Sequence, residues 1–336
     1  MRLAAAVVIA TVGVAACGTQ HAQPRGGRFL VYTRNLGKKT QGVWVARTDG
    51  RHARLLVREA IYGTVSPNGR WVAYVKCLVP VLRCQGGDEP FALFLVPTTG
   101  GKSRLLARSV GYALWSPTSD LILGIRRNAL VTVDLDRHVH VVEHTGTTDG
   151  WTFSPNGEWI AYAKARQHTK CGSDVFVVRA DGSDERRLTH GRDIFPVWGP
   201  RWIAFSRYPK RCGYARRIFR IRPDGSGERP VTAPQPRRFA QNGYYGFDPI
   251  DWAPDDRTLL AGISSEWGPE AIAVDVATGK WRKLSGYALD LSRDGRFALV
   301  DSGGSEGPQA LAIVDVATGR RHVFAKGDVA FPSWNR

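Results

Sequence analysis

The chain has 336 residues, 43% of them hydrophobic, so there is ample material for a packed core. Its 47 Lys and Arg against 30 Asp and Glu give a formal net charge of +17, mostly arginine and spread along the chain rather than gathered in a tail. Helix-period patterning is almost absent after residue 20 and short apolar runs between Gly, Pro, Asn and Asp dominate, which excludes an α-helical class and points to all-β.

The opening MRLAAAVVIATVGVAACG has one basic residue, an apolar run and a small-residue end, the pattern of a secretory signal. It is too short and too weakly flanked for a stable transmembrane helix. Its tetrapeptide Val14-Ala15-Ala16-Cys17 resembles a bacterial lipobox, in which the Cys is lipidated and becomes the new N-terminus. The alternative is an ordinary signal with a chance Cys. Either way the protein is expected to leave the cytoplasm. Residues 1–17 are thus a lipoprotein-type signal, 18–28 a flexible tether without strand pattern, and 29–336 a single domain. For an exported chain the positive charge suits acidic lipid or anionic envelope polymers better than nucleic acid, with an arginine-favouring genome as the bland explanation.

From Phe29 onward the sequence repeats itself. Residues 65–76 read VSPNGRWVAYVK and residues 153–164 read FSPNGEWIAYAK. Ser-Pro-Asn-Gly is turn chemistry, because Pro presets φ near about −65° and Asn-Gly tolerates positive φ. The aromatic and β-branched run that follows is strand composition. Weaker copies are WSPTSDLILGIRR (115–127), WGPRWIAFSR (198–207), WAPDDRTLLAGIS (252–264) and LSRDGRFALVDS (291–302). Between them lies a second strand–turn–strand family with seven members, among them VFVVRADGSDERRLT (175–189) and IVDVATGRRHVF (313–324). Together one unit is four strands, a to d, over roughly 40 residues, the period of a propeller blade. Phe29-Leu30-Val31-Tyr32 starts as a strand b with no strand a before it, and DVAFPSWNR (328–336) supplies a strand a and stops. The last strand is therefore expected to complete the first blade. The fold is expected to be an all-β, seven-bladed propeller closed by a C-terminal strand, with six blades the runner-up.

The units resemble WD40-like repeats of the TolB type, through Ser154-Pro155-Asn156-Gly157 with Trp159-Ile160-Ala161-Tyr162 and through the element from Arg179 to Thr189. The resemblance covers residues 27 to 336 and is strongest in blades 2, 4 and 5. It places strands and carries no catalytic residue across. TolB itself is similar in being exported, but it has six blades and a separate N-terminal domain, which this chain is not expected to carry.

Strand order puts the short a–b and c–d turns on one face and the b–c and d–a connections on the other, where every long insertion falls. Long loops on a rigid scaffold are where binding usually resides. The insertion APQPRRFAQNGYYGF (233–247) offers Arg237, Arg238, Phe239, Tyr244 and Tyr245 as a cationic and aromatic recognition set. Cys77, Cys84, Cys171 and Cys212 lie on the same face, an even number that suggests disulfides 77–84 and 171–212. No C-x-x-C pair exists, which argues against a zinc ribbon or a thioredoxin-type motif. Asp149, Asp193, Asp248 and Asp328 precede strands a near the channel mouth, with His144, His168 and His190 in nearby loops. The set His144, Asp149, His190 and Asp193 is a weak candidate metal or catalytic site, since Asp is also a common turn residue. Lys210, Arg211, Arg216, Arg217, Arg220 and Arg222 form the densest basic patch, with Phe219 and Ile221 expected to point the other way. His138 and His140 alternate on an outer strand and share a side. No G-x-S-x-G elbow and no phosphate-cradling Gly loop occur.

The expected function is a non-enzymatic, monomeric binding or scaffolding module of the cell envelope, without cofactor. It would sit lipid-anchored on the outer side of the cytoplasmic membrane, in the periplasm or at the cell surface, with an envelope protein or anionic polymer as partner. The alternative is an extracytoplasmic propeller lyase or hydrolase with a His/Asp site at the channel mouth.

Overall fold

The computed structural model describes residues 29–36, 41–79, 91–144, 148–165, 173–210, 215–234, 244–265, 270–302 and 309–334. Its strands form seven four-stranded antiparallel sheets, and among the described residues no helix is present. Blade 1 is ordered β28 (Val329–Trp334), β1 (Phe29–Asn35), β2 (Gln41–Arg47), β3 (Arg54–Arg58), so the last strand of the chain pairs with the first. Leu30 stands opposite Trp334 and Arg34 opposite Val329. The seven-bladed, strand-closed expectation is met. The six-bladed alternative is not.

Each blade forms because its turns are spelled locally. In blade 2 the Gly69 amide donates to the Ser66 carbonyl at 2.8 Å, and the Ser66 hydroxyl donates to Asn68 Oδ1 at 2.8 Å while accepting from the Trp71 amide at 3.0 Å. Blade 4 repeats this around Ser154, Asn156 and Trp159. The positive φ falls on Gly alone (Gly69 at 69°, Gly157 at 76°), not on the Asn-Gly pair. Asn works instead through its side-chain oxygen, an Asx device. Ser119 and Asp256 take the Gly place in blades 3 and 6 at 65° and 58°, so the weaker copies keep the turn at some backbone cost.

The core is seven apolar layers, one between each pair of adjacent blades. The layer that joins blades 7 and 1 packs Leu30, Tyr32 and Trp334 against Leu299 and Leu311. Both faces of a blade are therefore covered, and the middle strands read as continuous apolar runs rather than alternating ones. Val72-Ala73-Tyr74-Val75 in β5 (Trp71–Cys77) is buried throughout.

That sandwiching corrects one expectation. Strand β18 (Arg217–Ile221) has no solvated side: Arg220 is 7% exposed and sits 4.4 Å from the Trp202 ring, joined there by Arg222 and Arg229 at 5.1 and 5.4 Å. Arg217 donates to the Thr232 carbonyl, and Arg216 turns to an acid at the channel mouth. The foreseen basic patch is thus taken apart into stacked and paired arginines, with Lys210 exposed and Arg211 outside the described residues. His138 and His140 do share a side, with ring centroids 6.5 Å apart.

Candidate functional site

The innermost strands run from the loop-rich face to the short-turn face: β4 (Tyr62–Val65), β8 (Val110–Trp115), β12 (Thr148–Phe153), β16 (Asp193–Trp198), β20 (Tyr244–Trp252), β24 (Tyr287–Leu291) and β28. All but β4 carry a bulge in their pairing with the next strand. A bulge re-aims side chains, and here it turns aromatic rings into the channel. Tyr112 in β8 and Phe195 in β16 occupy equivalent positions, both in the left-handed region at φ 61° and 54°. They are 61% and 40% exposed. Bulky residues rarely adopt that conformation, at a cost of about 1–3 kcal/mol each. At the matching place in β12 stands Gly150 at φ 101°, where an added Cβ would lie 2.9 Å from Phe195 Cα. Gly150→Ala is expected to lower stability by about 1–3 kcal/mol, read as a fall in melting temperature; an unchanged melt would mean that Phe195 is not packed there.

The rings connect. Tyr62 lies 6.2 Å from Tyr112, and Tyr112 meets Trp151 edge-on at 5.8 Å. Tyr287, 41% exposed, opens β24 across the ring. Burial and then the neighbouring Tyr112 push the Tyr62 phenol well up, and burial and then Asp248 push Tyr287 up, so both are neutral hydroxyls. At the mouth of the channel Tyr112 and Phe195 expose aromatic surface in blades 3 and 5, with the half-buried Tyr62 and Trp151 against Tyr112, a set suited to stacking and apolar contact.

Three of the four acids foreseen at this mouth are engaged in the scaffold. Asp193, 0% exposed, takes two hydrogen bonds from Arg207, at 2.6 and 2.8 Å, and Arg207 reaches on to Glu228 at 2.6 Å. Burial works against the Arg207 charge, but its hydrogen bonds to Asp193 and Glu228 hold its pKa above the ordinary value. Asp248 takes the same fork from Arg216, at 2.8 and 2.6 Å, and accepts from Ser206 and Ser264. Asp328 accepts from the Asn35 side chain at 2.5 Å. The Asp149 side chain and His168 lie outside what is described, and His144 and His190 are exposed. Among the described residues no group of three or more His, Cys, Asp or Glu side chains gathers to hold a metal ion.

Arg237, Arg238 and Phe239 lie outside the described residues, as do Cys84, Cys171 and Cys212. Tyr244 and Tyr245 belong to β20 rather than to the preceding loop, in keeping with the strand propensity of aromatics. Sequence reasoning missed the mouth aromatics. The signal was present: Tyr62, Tyr112 and Phe195 each stand four residues before the first residue of the a–b turn, Ser66, Ser116 and Gly199.

A second concavity of about 740 Å³ opens between blades 6 and 7 on the short-turn face, beside Trp281. Asp275 there caps the Thr278 amide at 2.9 Å and pairs with Arg257 at 2.9 Å, which lowers its pKa to about 2. A carboxyl depressed in the folded state supports that turn above its unfolded pKa and releases it as pH falls. Carbon-detected titration of Asp275 should accordingly show a midpoint near 2; a midpoint at the usual carboxylate value would remove the cap.

No protein-family model matches the chain. It is 32% identical over 119 residues to the uncharacterized protein Atu1656 of Agrobacterium fabrum (strain C58 / ATCC 33970), a match covering 32% of the chain. The chain spans 40% of the length of that curated relative. In structure it is similar to TolB from Acinetobacter baumannii, with a TM-score of 0.56 and 13% identity over 91% of this chain and 82% of that one. It is similar to an oligogalacturonate lyase in complex with manganese, with a TM-score of 0.59 and 15% identity over 89% and 86% of the two chains. A puromycin-hydrolyzing peptidase of Mycobacterium tuberculosis follows at 0.58, with 14% identity over 90% of this chain and 54% of its own. At these identities the likeness establishes the TolB-like propeller fold, which binding proteins and enzymes share.

Proposed function

We propose that the chain is an exported, TolB-like propeller that acts as a non-enzymatic binding or scaffolding module, taking an envelope protein at the aromatic mouth of its channel. The observation that carries this reading is the pair Tyr112 and Phe195, two exposed rings held in a costly backbone conformation at equivalent bulges. Strain that persists at exposed residues is a sign of function rather than of stability. The competing enzyme reading needs Asp193 and its neighbours free for chemistry, and Asp193 is spent on Arg207.

Export, the signal at residues 1–17 and lipidation of Cys17 belong to the same proposal, as do disulfides 77–84 and 171–212. Cys77 is 7% exposed at the end of β5, a burial that suits a structural rather than a reactive thiol. The test places a photo-crosslinking side chain at Tyr112, and in a second protein at the exposed Lys102 on the opposite face. A discrete adduct at 112 that is lost in Phe195→Ala, with none at 102, is expected. Equal labelling from both faces would sink the reading.

Tyr112→Gly separates function from fold. It removes the ring contacts and also a strained φ, so stability should stay level or rise by up to about 1 kcal/mol while partner capture falls at least tenfold. A Tyr112→Gly protein that captures its partner normally would show these rings to be idle.

A further inference from the structure

The positive charge of the short-turn face is concentrated in one sector. The turns 47–54, 66–70, 97–104, 292–296 and 315–321, which belong to blades 7, 1 and 2, hold ten Lys or Arg against three carboxylates, Asp49, Asp294 and Asp315. All ten cations are exposed. Among the described residues none of them enters an ion pair. The three acids are engaged in capping their own turns: Asp49 accepts from the Arg51 amide, Asp294 from the Arg296 amide and Asp315 from the Thr318 amide. Across the ring carboxylates outnumber cations on the turns. Some of those cations are matched directly, Arg179 with Asp184 at 2.7 Å and Arg257 with Asp275 at 2.9 Å, while others such as Arg137 and Lys280 enter no ion pair among the described residues.

Two further features say what meets this sector. Its connections are all short, so it presents a broad and level surface. And β1 begins at Phe29 in its middle blade, so residues 18–28 leave from within it. Those eleven residues extend to about 40 Å at most, which keeps this sector close to whatever holds Cys17.

We propose that the turn face of blades 7, 1 and 2 lies against an anionic bilayer surface, so that the aromatic mouth points away from the membrane. Unpaired cations on a flat face, brought within about 8–10 Å of anionic headgroups, are attracted across the unscreened gap. The inference deepens the binding-module reading by giving it an orientation, and it is tested with lipid alone, so its failure leaves partner capture at the mouth standing.

The test uses the chain from Gln23 onward, which keeps every strand of the closed ring, and vesicles of phosphatidylcholine with or without phosphatidylglycerol. Partitioning onto the anionic vesicles is expected, weakening steeply with salt. The set Arg51→Glu, Arg70→Glu, Lys102→Glu and Arg321→Glu should lower it a hundredfold or more, at about fivefold per charge. The same number of reversals on the loop-rich face, at the exposed Arg58, Arg108, Arg126 and Arg127, should lower it less than about threefold, since those charges lie beyond the screening length. Matching melts of the two variants keep the comparison clean, and Gln in place of Glu supplies a second series should either variant fold poorly. Equal losses from both sets would overturn the proposal, because net charge alone would then explain binding. So would indifference to anionic lipid, or retention on soluble polyphosphate without vesicle binding, which would assign the sector to an anionic polymer.

Discussion

A chain that stops at Gly327 should fail to unfold cooperatively and should aggregate during purification. The deletion removes β28, and with it the pairing of Leu30 with Trp334, the Thr33 hydroxyl bond to Ala330 at 2.8 Å and the Asn35 amide bond to Asp328 at 2.9 Å. It also removes the Trp334 amide bond to Asp290, 2.8 Å across to blade 7, and opens the layer between blades 7 and 1. Two unprotected strand edges and an exposed apolar layer exceed the ~5–15 kcal/mol by which domains are stable. The point variant Trp334→Ala isolates one part and should cost about 3–5 kcal/mol, on the order of 10 °C in Tm. Trp334→Phe should come within about 1.5 kcal/mol of the parent, because the Trp334 indole N–H is buried without an acceptor among the described residues. A deletion that melts within a few degrees of the intact chain would refute closure as the main source of stability.

The Arg207–Asp193 fork carries the second large effect. Asp193→Ala leaves a guanidinium that is 21% exposed with only Glu228 to answer it, at a cost of about 3–5 kcal/mol. Arg207→Met is expected to cost a comparable amount, since it strands a fully buried carboxylate. The double variant Asp193→Val/Arg207→Met should cost much less than the sum, with a coupling of up to about 3 kcal/mol. Denaturant unfolding of all four proteins measures it. Additivity within about 0.5 kcal/mol would mean the fork is not a unit, and would reopen the question of what Asp193 is for.

The propeller was legible because its instructions are local and repeated. Ser-Pro-Asn-Gly and Asp-Val-Ala-Thr-Gly each write a complete turn within a few residues, and the unmatched strand at Phe29 finds its complement in the closing segment. The acid-lined mouth was legible only in outline. Asp193 and Asp248 look free in sequence because their partners Arg207 and Arg216 stand 14 and 32 positions away, brought close by strand pairing and blade stacking. Arg220 looks like a surface cation because alternation suggests a wet side, which a blade covered on both faces does not have. The bulges that lift Tyr112 and Phe195 into the channel are a property of strand register, and neither side chain announces a positive φ.

The position of Phe29 also has a mechanical meaning. A pull on residue 28 along the ring axis acts lengthwise on β1, which is held between β28 and β2. Such a load shears both ladders at once instead of peeling them bond by bond, so every hydrogen bond of two strand pairs shares the force. The same pull applied sideways, in the plane of the ring, would unzip the first blade from its end. A ring held flat and tugged straight would therefore resist far longer than one dragged along its surface.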